Sequence, residues 1–261
     1  MLKSVSRMKA LTIQASDGEI GSVEDFYFDD ETWAIRYLMV NTGHWLPGRL
    51  VLVSPIFLGQ ADWDTKTLPV ALTKKQIENS PDIDTHKPVS RQHEAAYMNY
   101  FGASYYWNGP YPWGGGLFPT DLVGAPVPLD VRTVAADREL GDSHLRSVAE
   151  VRGYRIDATD GEMGHVEDFI VDTETWAIRY LEVNWNWLPG KRVLIAPEWI
   201  GNVNWMDSKV GVSVQQEAIK TAPEYIESRP ITRAYEDQLH EHYGRPSYWL
   251  REAARANVST H

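Results

Sequence analysis

The sequence predicts a mainly β protein: two small β-barrels in tandem, each followed by short helices. Three observations predict it. First, "GEIGSVEDFYFDDETWAIRYLMVN" (residues 18–41) returns as "GEMGHVEDFIVDTETWAIRYLEVN" (residues 161–184), identical at 18 of 24 positions. Second, each copy holds several short runs of aromatic and branched residues, set apart by Gly, Pro and Asp turn signals. Such a small sheet would leave edges open, and closing it into a barrel removes them. Third, each copy ends in stretches with helix start and stop signals.

The repeat sets the boundaries. The offset is 143 up to the loop after the second strand, where "NTGHWLPG" shortens to "NWNWLPG", and 142 beyond it. The second offset pairs Pro55 with Pro197, Trp63 with Trp205, Pro81 with Pro223, Gly102 with Gly244 and Trp107 with Trp249. One copy therefore covers 1–107 and the other 144–250, with a linker at 108–143 and a tail at 251–261. Units of this length are domains, not solenoid repeats.

The elements follow in order. Glu19 to Phe28 reads as a strand, and "DDET", or "DTET" in the second copy, turns the chain through side-chain bonds to nearby backbone. "WAIRYLMV" is the next strand. After a Gly- and Pro-bearing loop, "RLVLVSP" and "KRVLIAP" are strands ended by proline, which cannot extend a ladder. A short strand near Val70 and Val212 completes each sheet. "TKKQIENSP" opens with a capping box, Thr73 with Gln76, and the counterpart is Ser213 with Gln216. Pro81 and Pro223 stop these helices. "SRQHEAAYMNYFG" and "TRAYEDQLHEHYG" form second helices, with Ser90 and Thr232 as N-caps and Gly102 and Gly244 at the left-handed C-terminal position. The linker is rich in Gly and Pro, yet it carries Tyr111, Trp113, Leu117 and Phe118, so part of it should be ordered against a barrel.

Composition excludes several functions. There is no cysteine, which removes disulfides and thiolate chemistry. The formal net charge is -11 and no segment is basic, which opposes binding to nucleic acid or anionic membranes. No apolar run is long enough to span a bilayer, and no signal peptide is evident, so the expectation is a cytoplasmic protein.

The candidate residues divide by role. Adjacent Glu24 and Asp25, and Glu167 and Asp168, point to opposite strand faces, while Glu31 and Glu174 sit in turns. These carboxylates read as structural, with weak cation binding as the alternative. Arg36 and Arg179 occupy one repeat position inside a half-apolar strand, and Asp25 and Asp168 are the expected ion-pair partners. His240 and His242 are two apart, not the four that a helical zinc site needs. No metal, cofactor or catalytic residue is assigned. Trp45, Trp185 and Trp187 lie on the "LPG" loops and suit barrel packing, a protein partner or a small ligand. Met39 becomes Glu182 in the second copy, which implies an accessible strand end there and an asymmetric contact at Met39. Tyr97 and Tyr243 lie on the apolar stripe of the second helices and could build a homodimer.

The repeated pattern, a Gly-x-x-x-Gly-x-Val-x-Asp opening, an acidic turn, "WAIRYLxV" and a strand ending in Pro, resembles the PRC-barrel domain. The likeness covers Asp17 to Pro55 and Asp160 to Pro197, and the whole looks like bacterial proteins with two such domains in tandem. It implies small β-barrels and adaptor roles without catalysis. Members of that family look like the cytoplasmic domain of the photosynthetic reaction centre H subunit and the barrel of a ribosome maturation factor. Other tandem members are suspected in stress responses. The expectation is a non-enzymatic scaffold or adaptor for a protein partner of unknown identity, tied to stress or to a membrane electron-transfer assembly. A small-molecule or divalent-cation sensor is the alternative.

Overall fold

The computed structural model describes residues 1–81, 89–109, 111–122, 144–185 and 191–258, with side chains to residue 253. Trp187 and most of the linker lie outside them. The chain divides into two compact units. Unit 1 takes Met1, Lys3–Val151 and Phe169–Arg179; unit 2 takes Leu2, Arg152–Asp168 and Tyr180–His261.

The first repeat builds a six-stranded sheet. It contains β2 (Thr12–Ala15), β3 (Gly18–Asp29), β4 (Ala34–Asn41), β5 (Leu50–Val53) and β6 (Thr67–Pro69), in the order β5-β4-β3-β2-β6. The sixth strand, β7 (Leu145–Ser147), opens the second repeat and pairs antiparallel with β3, Phe28 opposite Arg146. The second repeat supplies β8 (Arg155–Ala158), β9 (Gly161–Asp172), β10 (Ile178–Asn184), β11 (Arg192–Ile195), β12 (Ile200–Asn204) and β13 (Lys209–Val212). Their order is β11-β10-β9-β8-β13-β12, and β1 (Leu2–Ser4) joins β9. The first strand of each repeat thus joins the sheet of the other. Its sequence signal is short: "LKSV" at 2–5 and "LRSV" at 145–148.

The expected barrels do not form. Among the described residues each sheet runs from one edge strand to another and does not close. At one edge of each sheet, β5 and β11, other groups bond the outward backbone. At β5 the Tyr97 hydroxyl donates to Leu52 O at 3.2 Å and accepts from Ser54 N–H at 3.1 Å. Arg49 donates to Glu78 O and to Ser80 O, tying the start of β5 to the helix end. At β11 the N–H of Tyr225 bonds Arg192 O at 2.8 Å. Those backbone groups are then not available to a closing strand.

The helices obey local chemistry. α1 (Val5–Lys9) is capped by Ser4. α2 (Lys74–Glu78) carries the capping box of Thr73 and Gln76. α3 (Arg91–Phe101) starts at Ser90 and ends at Gly102, φ 65°. After α4 (Val148–Val151), α5 (Gln216–Thr221) departs from expectation. Its N-cap is Gln215 and Ser213 instead donates to Trp199 O, while Asp160 accepts from Gln216 N–H at 2.8 Å. α6 (Arg233–His242) is capped by Thr232, and α7 (Tyr248–Val258) continues past residue 250.

In unit 1 the two β-hairpin tips meet. Ile35 N–H donates to Trp176 O at 2.8 Å and Ile178 N–H to Trp33 O at 2.7 Å, with Ala34 bridging Ala177. Trp33 and Trp176 both hold positive φ, 55° and 58°, a conformation that costs a bulky residue about 1–3 kcal/mol. Stacking of Trp33 on Phe28, ring centroids 5.2 Å apart, offsets part of it.

Candidate functional site

Arg36 is 1% exposed, and its carboxylate partner is Asp29 at 3.3 Å, not Asp25. Arg179 likewise takes Asp172 at 3.5 Å, not Asp168. Register explains the change: Arg36 lies between Ile35 and Tyr37, which face Phe28 and Tyr27, while Asp25 lies further along, opposite Met39. Near the turn Thr32 and Thr175 also accept from the guanidinium groups at 2.9 and 3.2 Å. Burial alone would raise the Asp29 pKa, but Arg36 and the N–H groups of Thr32 and Glu31 hold it below the usual range. Asp25 is buried and takes Ser147 Oγ, Ala149 N–H and Lys9 instead. Asp168 is also buried.

The residues expected at a surface are largely internal. Tyr97 is 1% exposed and Met39, Trp185 and Tyr243 are buried too. The Tyr27 hydroxyl lies 4.0 Å from Met39 Sδ, Lys220 Nζ covers the Trp185 ring at 5.1 Å, and Tyr243 packs on Trp199 at 4.5 Å. Trp45 is half-buried, with Lys74 Nζ 4.8 Å over its ring. Glu182 corrects the expectation of an open strand end: it is 1% exposed and meets Arg192 at 2.7 Å. Burial, opposed by Arg192 and reinforced by Asp168, pushes its pKa up to about 7.

A duplicated polar cluster joins helix to sheet in each unit. In unit 1, buried Glu94 accepts from the Tyr106 hydroxyl at 2.5 Å and from Arg91 at 3.1 Å. Arg91 also donates to Tyr106 at 2.7 Å and stacks on Trp107 at 4.5 Å. Arg36 lies 3.7 Å over the Tyr106 ring and donates to Pro112 O, and the Trp113 indole donates to Thr175 O at 2.8 Å. In unit 2, Glu236 accepts from Tyr180 at 2.9 Å and Tyr248 at 3.0 Å, and pairs with Arg233 at 3.2 Å. Arg233 lies 3.9 Å over Trp249. Burial raises the Glu94 pKa against the pull of Arg91, and lowers that of buried His240, which faces Tyr180 at 3.2 Å. The sequence signal was an aligned Arg-x-x-Glu and Tyr-Trp, "RQHE…YW" with "RAYE…YW". Chemically the cluster is a clamp: both carboxylates are enclosed by donors.

Unit 1 also has a cleft of about 210 Å³, walled by Leu11, Leu68, Trp63 and Trp176, with Gln60 and Glu174 at its polar side. Among the described residues no three His, Asp or Glu side chains gather as a metal site, and no helix is long and apolar enough to cross a membrane. A scan of protein-family models and a search of curated proteins each found no match. With open sheets and no family match, the PRC-barrel resemblance does not hold, and the roles it implied lose their basis.

Proposed function

We propose that the chain is a non-enzymatic scaffold that binds a protein partner in the cytoplasm. The supporting observation is that large apolar side chains stand in water on both units: Tyr100 and Phe118 on unit 1, and Leu250, 62% exposed, on unit 2. Association removes such surface from water and is favoured by it. The buried ionisable groups meanwhile hold helices to sheets, which gives each unit a rigid surface to present.

Crosslinking mass spectrometry in the native host tests this reading. Reproducible links from Lys66, Lys74, Lys191 or Lys209 to one other protein are the expected outcome; links confined to the chain itself would overturn it. The cleft beside Trp63 and Trp176 favours a second reading, a small-molecule sensor. A compound that fits there raises Tm, because a ligand of the native state stabilises it. No shift across a panel of aromatic and apolar compounds removes that reading.

A further inference from the structure

We propose that the outer edge of β12 pairs antiparallel with the same edge of a second copy of this chain. The inference stands independently of the adaptor reading.

β12 is the last strand of its sheet, bonded on one side to β13. The direction of its free groups follows from register. Arg155 N–H donates to Ser208 O, so along β13 the backbone groups of Ser208 and Val210 face β8. Those of Lys209 and Gly211 therefore face β12, where their partners are Asn204 and Asn202. Val203, between them, turns its N–H and C=O outward. Gly201, Asn202 and Asn204 are exposed, and Met206 beyond them is 95% exposed.

The first repeat shows what has changed. Its corresponding segment makes only the isolated bridges Leu58 to Val70 and Asp62 to Thr67. It also carries charge. Asp62 becomes Asn204, Asp64 becomes Met206 and Ala61 becomes Val203. Carboxylates guard exposed edges by repelling a second strand. The second repeat has lost both at these positions and gained a branched and a long apolar side chain.

The pattern selects the occupant. About a two-fold axis at Val203, Val203 meets its own equivalent and Asn202 faces Asn204 of the second copy. A charge at 202 or 204 would lie diagonal to its own equivalent across the axis, and residues 199–206 have none. A foreign peptide strand imposes no such requirement. The overall charge of -11 opposes self-association, so neutrality along the contact matters more.

Sedimentation equilibrium on the full chain, from micromolar to millimolar concentration, tests the proposal. The expected result is a monomer–dimer equilibrium. Transplanting the first repeat's turn, Asn204→Asp with Met206→Asp and Asp207→Thr, should weaken it by about tenfold or more, because the two new carboxylates at position 204 then stand diagonal to each other across the axis and the apolar Met206 is lost. The same residues already fold in the first repeat, where Asp62 Oδ1 accepts from Thr65 N–H at 3.0 Å. Val203→Pro, which deletes the outward N–H and no N–H that bonds β13, should do the same, and Ala61→Pro should leave the equilibrium unchanged. A monomer at every concentration, or a dimer indifferent to the transplanted turn, would overturn the proposal.

Discussion

Glu182 stands where the first repeat has Met39, and burial gives it a carboxyl that titrates near neutrality. The unfolded chain releases this proton at an ordinary carboxylate pKa, roughly 4.3. Below that value both states hold the proton. As pH rises towards about 7 the unfolded state has let go and the folded state has not, so stability falls through this window and then levels. Glu182→Gln lacks the titration. Its Tm relative to wild type should therefore rise from about pH 5 to about pH 8, read by thermal melts at matched ionic strength. A flat difference would mean that Arg192 fully compensates the buried charge. In unit 1, Glu94→Ala leaves Arg91 beside a lost partner in a closed site. We expect a loss of about 3–5 kcal/mol in urea unfolding, with Glu94→Gln recovering part of it.

Elements in this fold are secured at their ends and edges. Tyr97→Phe removes one hydroxyl that serves both Leu52 O and Ser54 N–H, and should cost about 2 kcal/mol in urea unfolding without changing the secondary structure. Two glycines make a matched comparison. At Gly102, φ 65° with open space around it, alanine pays only the left-handed backbone, about 1–2 kcal/mol. At Gly21 a Cβ would sit 1.9 Å from Asn41 O, so Gly21→Ala should destabilise much more in the same assay. The strand and helix starts were legible because they depend on local chemistry: the Thr73 box, the Ser90 and Thr232 caps, the Gly102 stop and the apolar runs around Trp33. What stayed hidden depends on residues far apart in sequence. Asp25 and Asp29 look alike as partners for Arg36 until the turn is folded. Tyr97 reads as a surface aromatic until its hydroxyl is seen to finish β5. The clamps were half legible, since Arg91, Glu94, Tyr106 and Trp107 recur in register as Arg233, Glu236, Tyr248 and Trp249.

At the scale of the molecule the repeat governs connectivity. β7 leaves its own repeat to pair with β3, and β1 pairs with β9. Deleting residues 1–4 should lower Tm and raise the exchange rate of the Thr173 amide, which donates to Met1 O at 2.9 Å. Unchanged protection at Thr173 would show that β9 holds its edge without β1. The pairing also has a consequence in time. A chain leaves the ribosome at about 5–20 residues per second, so the first strand waits on the order of ten to thirty seconds for Thr173 to be made. During that wait β3 lacks β7 as well, and the first repeat has every residue of its own yet an unfinished sheet. Its contact order is high by construction, and the two copies must be synthesised before either sheet is whole.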